Sequence, residues 1–586
     1  MPIYRKILCT HSPAPTRTRR TKKLHFYLHM SNFLCNFAAQ NDKCMKKSTK
    51  ITLWVVGSLF AFCALVIGMM DAGLSYVAKK EIKQHLADMP EIDASVGNIH
   101  VLLFSGTVVV KDIHFATCAF AHKADTDEVP LAPGLRADIP TLSVGPISYI
   151  RLLKDKNFWT YNITIDKPRL TFYLDEKHPE NSFPTFPKDT NMANADQLLK
   201  RIDINRIHLN KFCGQIKSTK TPLDVAVDSL SVTVNDLAYL LQEQQFLYND
   251  SDYSVSLAAA RVTIPDGTAA LEAHNLKTKD QGPLTLGYTR FRNIKSIFAL
   301  ADKADEPTTW IDLEVNSVKT SPLNPIRKAL KQDYTLASIT ADVKRMHVKR
   351  DNRHNYKEPV PTPQQFLQQV PVPFTVQSVK ANVRKIEIEM YLQKENPGKL
   401  QLQDIQASLA NISNRKNAVW DCKAHAPVGE KGIVDAEFKL HMDKDSHFDL
   451  SLNGTDIQAS FLNPFIRPLV GISFDCQINQ IETAYSGDDK KATGTFCLLY
   501  NGLAIQAHKE DKVPFSVVTK HANTITTVAN SLLTKSNPTV VDIKPRKYSV
   551  EWERDVMKDY PLYLFGPCII GAVQTMLPGL YVHKQI

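Results

Sequence analysis

The chain has 586 residues, 43% of them apolar and 22% charged, which is ordinary for globular protein and too long for one hydrophobic core. Its net charge of +11 is concentrated at one end: residues 1–50 hold 11 Lys and Arg against one acid, Asp42, leaving 60 basic and 59 acidic side chains on the remainder. So balanced a body offers no broad field for phosphate, and no nucleic-acid partner is expected.

Residues 1–44 are basic (RTRRTKK) and nearly free of acids. They are expected to be a non-native or disordered extension, with the true start at Met45, because MKKSTKITLWVV is a compact basic flank followed by an apolar run. Ile51 to Met70 is 20 residues without a charge. As a helix it spans about 30 Å, one hydrocarbon core. Ile51, Trp54, Phe60, Leu65 and Met70 mark this expected transmembrane anchor, and 45–71 the anchor with its flank. Lys43, Lys46, Lys47 and Lys50 precede it and Asp71 follows, so the positive-inside rule keeps the N-terminus cytoplasmic and sends the rest across. A cleaved signal peptide is the alternative; the run is long for one and no small-x-small site follows.

Leu74, Val77, Ala78, Ile82 and Leu86 then recur near helical spacing, up to Pro90. The period next changes to two. In VGNIHVLLFSGTVVVKDIHF two β-rich runs flank Ser105-Gly106, a hairpin signal. Alternation recurs to about residue 510: Leu170, Phe172 and Leu174; Val255 and Leu257; Ile386, Ile388, Met390 and Leu392, with Glu387 and Glu389 between them; Leu400 and Leu402; Phe448, Leu450 and Leu452. The turn clusters TKDQG, ENPG and SGDD separate strands. One apolar and one polar face per strand predicts a mainly β fold, an antiparallel sheet wetted on one side.

Short helices interrupt it. SPLNPIRKAL from Ser321 and SFLNPFIRPLVG from Ser460 share Leu-Asn-Pro and Ile-Arg; each is expected to open a helix at Pro325 or Pro464, capped by Asn324 or Asn463. EPVPTPQQFLQQVPVPF from Glu358 reads as a Pro-rich linker with one helical turn. Residues 516–537 are a helical candidate through Val517, Val518, Ile525, Val528, Ala529, Leu532 and Leu533. The uncharged stretch Pro561–Val582, interrupted by Pro and Gly, is expected to lie on or cap the sheet rather than span a second time.

No P-loop, GxGxxG, GxSxG or HExxH occurs. Cys118, Cys213, Cys422, Cys476, Cys497 and Cys568 follow the anchor without a CxxC pair and are expected to be unpaired apolar fillers. Asp488-Asp489 reads as a hairpin turn rather than a catalytic pair. Asp125, Asp127 and Glu128 lack the spacing of a Ca²⁺ loop. Sequons stand at Asn162, Asn249, Asn411 and Asn453. No enzyme activity, metal or cofactor is expected.

The Lys-flanked anchor, the helix and VGNIHVLLFSGTVVVKDI resemble the opening of AsmA-like bacterial envelope proteins. PFTVQSVKANVRKIEIEMYLQKENPGKLQLQDIQASLANISN, FDLSLNGTDIQASFLNPFIRPLVGISF and YSGDDKKATGTFCLLYNGLAIQ resemble the C-terminal half of AsmA-like proteins of the Bacteroidetes type. The likeness covers about residues 45–120 and 370–560 and rests on strand and turn patterns. It implies a long curved sheet forming a taco- or bridge-like groove, with a first β-rich groove block in 72–370, a second in 371–515 and a capping segment in 516–586. It also implies a single-pass inner-membrane protein with its bulk in the periplasm, membrane phospholipids as ligands, and a role in phospholipid transport or outer-membrane homeostasis. Candidate groove-lining residues are Ile386, Ile388, Met390, Leu400, Leu402, Leu450 and Leu452. The alternative is a non-enzymatic envelope scaffold or assembly factor whose apolar faces close on each other or on unidentified partner chains.

Overall fold

The computed structural model describes residues 47–87, 92–117, 134–174, 199–218, 224–240, 245–248, 253–264, 267–280, 282–323, 334–370, 372–509, 521–540 and 543–577. Several expectations fall outside them: the 1–44 extension, Cys118, the acidic cluster at 125–128, Asn249, Val517, Val518, and the first Leu-Asn-Pro motif from Asn324 on.

The chain divides into two compact units, Met1–Leu74 and Ser75–Ile586. The first holds the beginning of helix α1 (Lys47–Ala87). There Phe62, Leu65, Met69 and Met70 are exposed. Among the described residues no helix is long and apolar enough to cross a membrane. The side chains of Ile51, Trp54 and Phe60, half of the expected anchor's markers and more, lie outside the described ones.

The second unit is built on one sheet of 23 strands. They are β1 (Ile92–Leu102), β2 (Thr107–Thr117), β3 (Gly134–Val144), β4 (Asn157–Thr160), β5 (Ile163–Asp166), β6 (Arg169–Leu174), β7 (Arg201–Ser218), β8 (Asp224–Leu240), β9 (Gln245–Tyr248), β10 (Tyr253–Thr263), β11 (Ala269–Lys279), β12 (Pro283–Leu286), β13 (Thr289–Asn293), β14 (Thr308–Pro322), β15 (Tyr334–Asp351), β16 (Phe374–Tyr391), β17 (Gly398–Ser413), β18 (Val419–Val428), β19 (Gly432–His441), β20 (Phe448–Gln458), β21 (Ile472–Gly487), β22 (Lys491–Ala507) and β23 (Lys547–Glu553). Among the described residues six further α-helices accompany them: α2 (Tyr149–Asp155), α3 (Ile297–Ala304), α4 (Pro363–Gln368), α5 (Asn463–Val470), α6 (Ala522–Leu532) and α7 (Tyr560–Met576). The expected β1–β2 hairpin forms, with Leu102 facing Thr107 and Gly106 at φ +60° in the turn. Asp488 closes the expected turn between β21 and β22, its Oδ1 accepting from the backbone N–H groups of Lys490 and Lys491.

Pairing is antiparallel except that β4, β5 and β6 run parallel to β7, and β15 parallel to β16. A parallel pair needs a crossover of a dozen or more residues. The Pro-rich segment after β15 supplies it, so this stretch is a packed strap and not a loose linker. Thr362 caps α4, hydrogen-bonds Ser446 at 2.8 Å and is buried with Gln364, whose amide donates to the carbonyls of Ser446 and His447. Asn463 departs from expectation too. It is the first residue of α5 rather than its cap, and its amide pins the start of β21 by donating to Phe474 O and accepting from Phe474 N.

Strict alternation would not keep the apolar side chains together. Their spacing slips by one residue at matched places in neighbouring strands: Val343 to Met346, Val383 to Ile386, Leu402 to Ile405. These are in register, Val343 with Val383 with Ile405 and Met346 with Ile386 with Leu402. The slip is absorbed by two consecutive residues on the charged face. Lys344 and Arg345 both reach Glu314, while Arg384 pairs with Asp342 and Lys385 with Glu387. Asp404, opposite Arg384, takes φ +53°. Asp112 and Asp456 do the same at φ +54° and +55°, where Val110 is followed by Ile113 and Gly454 by Ile457. Asp tolerates the left-handed region; a β-branched residue does not. Asp404→Val should therefore destabilise β16–β18 by about 1–3 kcal/mol and Asp404→Gly by no more than about 0.5 kcal/mol. Hydrogen exchange of these strands reads the difference, and equal protection in the two variants would refute the account.

Two cores of fully buried side chains form, both on the C-terminal strands. One gathers Phe496, Leu498, Tyr500, Leu503, Val550 and Ile570 beneath α6 and α7. The other gathers Leu440, Met442, Phe448, Leu450, Tyr485, Tyr560 and Tyr563. Helix α7 therefore lies on the sheet, as expected of the uncharged C-terminal stretch. Its glycines permit this: a Cβ at Gly566 would strike the Trp552 ring, and one at Gly571 the Phe496 ring. Arg350 of β15 anchors the start of α7 through Asp559, to which Tyr356 also donates at 2.6 Å.

Candidate functional site: a half-exposed apolar stripe

The register assembles one continuous apolar row from residues far apart in sequence. Leu135 faces Phe172, which faces Ile216, then Val225, Val262, Leu271, Phe291, Leu313, Met346, Ile386 and Leu402, across eleven strands from β3 to β17. At about 4.8 Å per strand the row is about 48 Å long measured along the sheet. A second row runs beside it through Ile311, Val348, Ile388 and Leu400. Of the eleven residues in the first row only Phe172 is buried; Ile216 and Leu271 are exposed and the others half-buried. Neither of the two cores includes a residue of these rows. A half-exposed apolar surface of this extent, on which neither core among the described residues packs, is uncommon in a water-soluble domain and marks a binding surface.

The expected lining residues divide. Ile386, Ile388, Leu400 and Leu402 sit together on the stripe, paired Ile386 with Leu402 and Ile388 with Leu400. Met390 lies at its end opposite Gly398, where α5 closes over the strand: a Cβ on Gly398 would meet Leu469 and the carbonyl of Phe465. Leu450 and Leu452 are elsewhere. Leu450 is 8% exposed, and both pack in the core with Phe438, Phe448 and Tyr485, so the chain's own side chains fill the face there. Sequence reading passed over Leu135, Ile216, Val262, Leu271, Phe291, Leu313 and Met346. The one available signal was their alternation, which the phase slips interrupt.

The opposite face carries charge. Asp312 accepts two hydrogen bonds from Arg290, both at 2.8 Å, and a third from Arg345 at 2.8 Å; Arg345 and Lys344 also hold Glu314 at 3.0 and 2.9 Å. The Arg290 guanidinium holds the Asp312 carboxyl below its ordinary range, and the Lys344 ammonium does the same for Glu314. A carboxylate with a depressed folded pKa contributes stability above its unfolded value, about 3.9 for Asp, and loses it as pH falls through the folded value. Asp312→Ala strands two arginines that are only partly exposed, so it should cost about 2–3 kcal/mol at pH 7 and almost nothing well below pH 3. Melting temperatures across that range test this; a pH-independent deficit would contradict it.

Two clefts open on this sheet, of about 660 and 470 Å³. The larger is bordered by Arg169, Thr171, Gln215, Arg261, Glu272 and His274, which alternate with stripe-side residues, and on the stripe side the Phe212 ring lies over Gly214. It therefore belongs to the charged face. Cys213, Cys422, Cys476, Cys497 and Cys568 are free thiols. Burial pushes Cys476 up to about 11 and raises Cys422, Cys497 and Cys568, which keeps these four protonated and poorly nucleophilic at neutral pH. Among the described residues no group of three or more His, Cys, Asp or Glu could hold a metal ion. In comparison with known proteins, the chain matches no protein-family model, no curated protein and no solved structure.

Proposed function

We propose that the protein is a membrane-anchored lipid carrier, without enzymatic activity, whose apolar stripe receives phospholipid acyl chains at the periplasmic side of the inner membrane. The observation that carries this reading is the half-exposed row from Leu135 to Leu402, whose residues come from eleven strands and whose extent exceeds what the described helices cover. An acyl chain is a chemically matched cover. Each methylene removed from water contributes about 0.8 kcal/mol, so eight give about 6 kcal/mol before ordering costs, enough to hold a lipid and still release it. The stripe's curvature into a groove belongs to the same reading. Mass spectrometry of the purified full chain tests it, with phospholipid expected at near-stoichiometric amounts; a stable, lipid-free protein would overturn it.

A second reading, an envelope scaffold, draws on the filled C-terminal cores, where β18–β23 are covered by side chains of α4, α6 and α7. It requires the stripe to be covered by a partner chain instead of lipid.

A further inference from the structure

The tip of the β1–β2 hairpin and helix α2 together expose the most apolar corner of the second unit. Phe104 is 89% exposed, Leu153 84% and Ile150 76%, with Tyr149 and Leu102 also open to solvent. They form one patch, not scattered residues. Ile147 N donates to Gly106 O at 2.8 Å, Tyr149 Oη reaches Leu103 O at 3.5 Å, and Ser148 caps α2 through the backbone of Arg151. The patch is thus held on two elements, while its three most exposed side chains stay open to solvent.

Its position follows from β1. Val101 N donates to Ser75 Oγ at 2.8 Å, and Lys79 Nζ to Asn98 Oδ1 at 3.4 Å. Going down β1 by three residues moves up α1 by four. The strand's tip, 102–106, is therefore directed toward Ser75, the first residue of the second unit. The flanking charge is basic: Arg151, Lys154 and Lys156 against Asp155. Apolar tips beside lysine and arginine suit the boundary between acyl chains and anionic headgroups.

We propose that Phe104, Ile150 and Leu153 insert into the surface of a phospholipid bilayer, seating the β1 edge of the sheet on its headgroups. The proposal rests on the membrane-anchor part of the functional reading and deepens it, since the apolar pairs Val96–Ile113, Ile99–Val110 and Val101–Val108 lie at this edge. Val540 is equally exposed but sits near the C-terminal cores, far along the sheet from β1, and serves as the comparison site.

The test places benzoylphenylalanine singly at Phe104, Ile150, Leu153, Val540 and Leu271 of the full chain, in native membranes, and identifies adducts by mass spectrometry after irradiation. Phospholipid adducts at the first three sites at least about tenfold above Val540 are expected from insertion at the interface. Protein adducts there, or lipid yields no greater than at Val540, would overturn the insertion. Leu271 lies on the stripe, so its adduct tests the carrier reading separately: lipid at Phe104 but not Leu271 would keep the insertion and remove the carrier.

Discussion

Ile386→Asp is expected to lower co-purifying phospholipid at least about tenfold, while the sheet stays folded. Ile386 stands between Met346 and Leu402 in the first row and beside Ile388 in the second, so a ligand lying along the stripe must cross it. The substitution removes the apolar contact of a whole Ile side chain, about 2 kcal/mol. It also sets a carboxylate against hydrocarbon, which costs several kcal/mol more unless water or a proton follows it. Together these exceed the 1.4 kcal/mol that a tenfold loss requires, even if the ligand shifts along the row to escape part of the penalty. Folding suffers less, because Ile386 is only half-buried in the free protein. Ser408→Asp is the control: Ser408 faces Lys380 in the alternate set of β17, so it adds the same charge to the neighbouring strand on the other face. Equal lipid in both variants would sink the stripe as the binding surface.

Phe448→Ala should cost about 3–5 kcal/mol in the C-terminal part of the sheet, the largest single-residue destabilisation expected in this chain. The ring is 1% exposed. It meets Tyr563 of α7 edge-on at 5.7 Å and Tyr485 at 6.4 Å, with Phe438 at 6.1 Å. Truncation leaves a cavity between sheet and helix that these rigid rings cannot close. The readout must be local, since a chain of this size need not unfold in one step. Hydrogen exchange in α7 and β20–β22 should rise sharply, with β1–β8 unchanged. Intact protection of α7 would show that the helix is held by Arg350 and Asp559 and the core around Phe496 alone.

Both predictions depend on a difference within one sheet that alternation cannot reveal. Ile386 and Leu450 belong to runs of the same texture, KIEIEMYL and HFDLSLNG. One is left half-open and the other is sealed, because α7, more than a hundred residues downstream, lands on the second. The destination of a short helix is set by where its close-packing glycines and its Asp559 find Trp552, Phe496 and Arg350, and no local pattern encodes that match. The parallel β15–β16 pair escaped for a related reason. A Pro-rich stretch reads as a linker unless one knows that Thr362 and Gln364 find partners at Ser446 and His447. Cys476 and Asp488 were legible, since a lone thiol alternating with Phe474 and Ile478 and an Asp-Asp turn depend only on neighbours in the chain.

By itself the sequence determined the uncharged run with its lysine flank, the mainly β character, the hairpin at Ser105-Gly106 and the helical nature of the C-terminus, all of which follow from short-range periodicity, turn chemistry and charge. The tertiary structure alone decided which apolar residues share a row, which of those rows stay uncovered, and that aspartates at positive φ keep the rows in phase. Those outcomes depend on register between strands and on the landing place of remote helices, and both are settled by the joint burial of many side chains at once rather than by any one segment's preference.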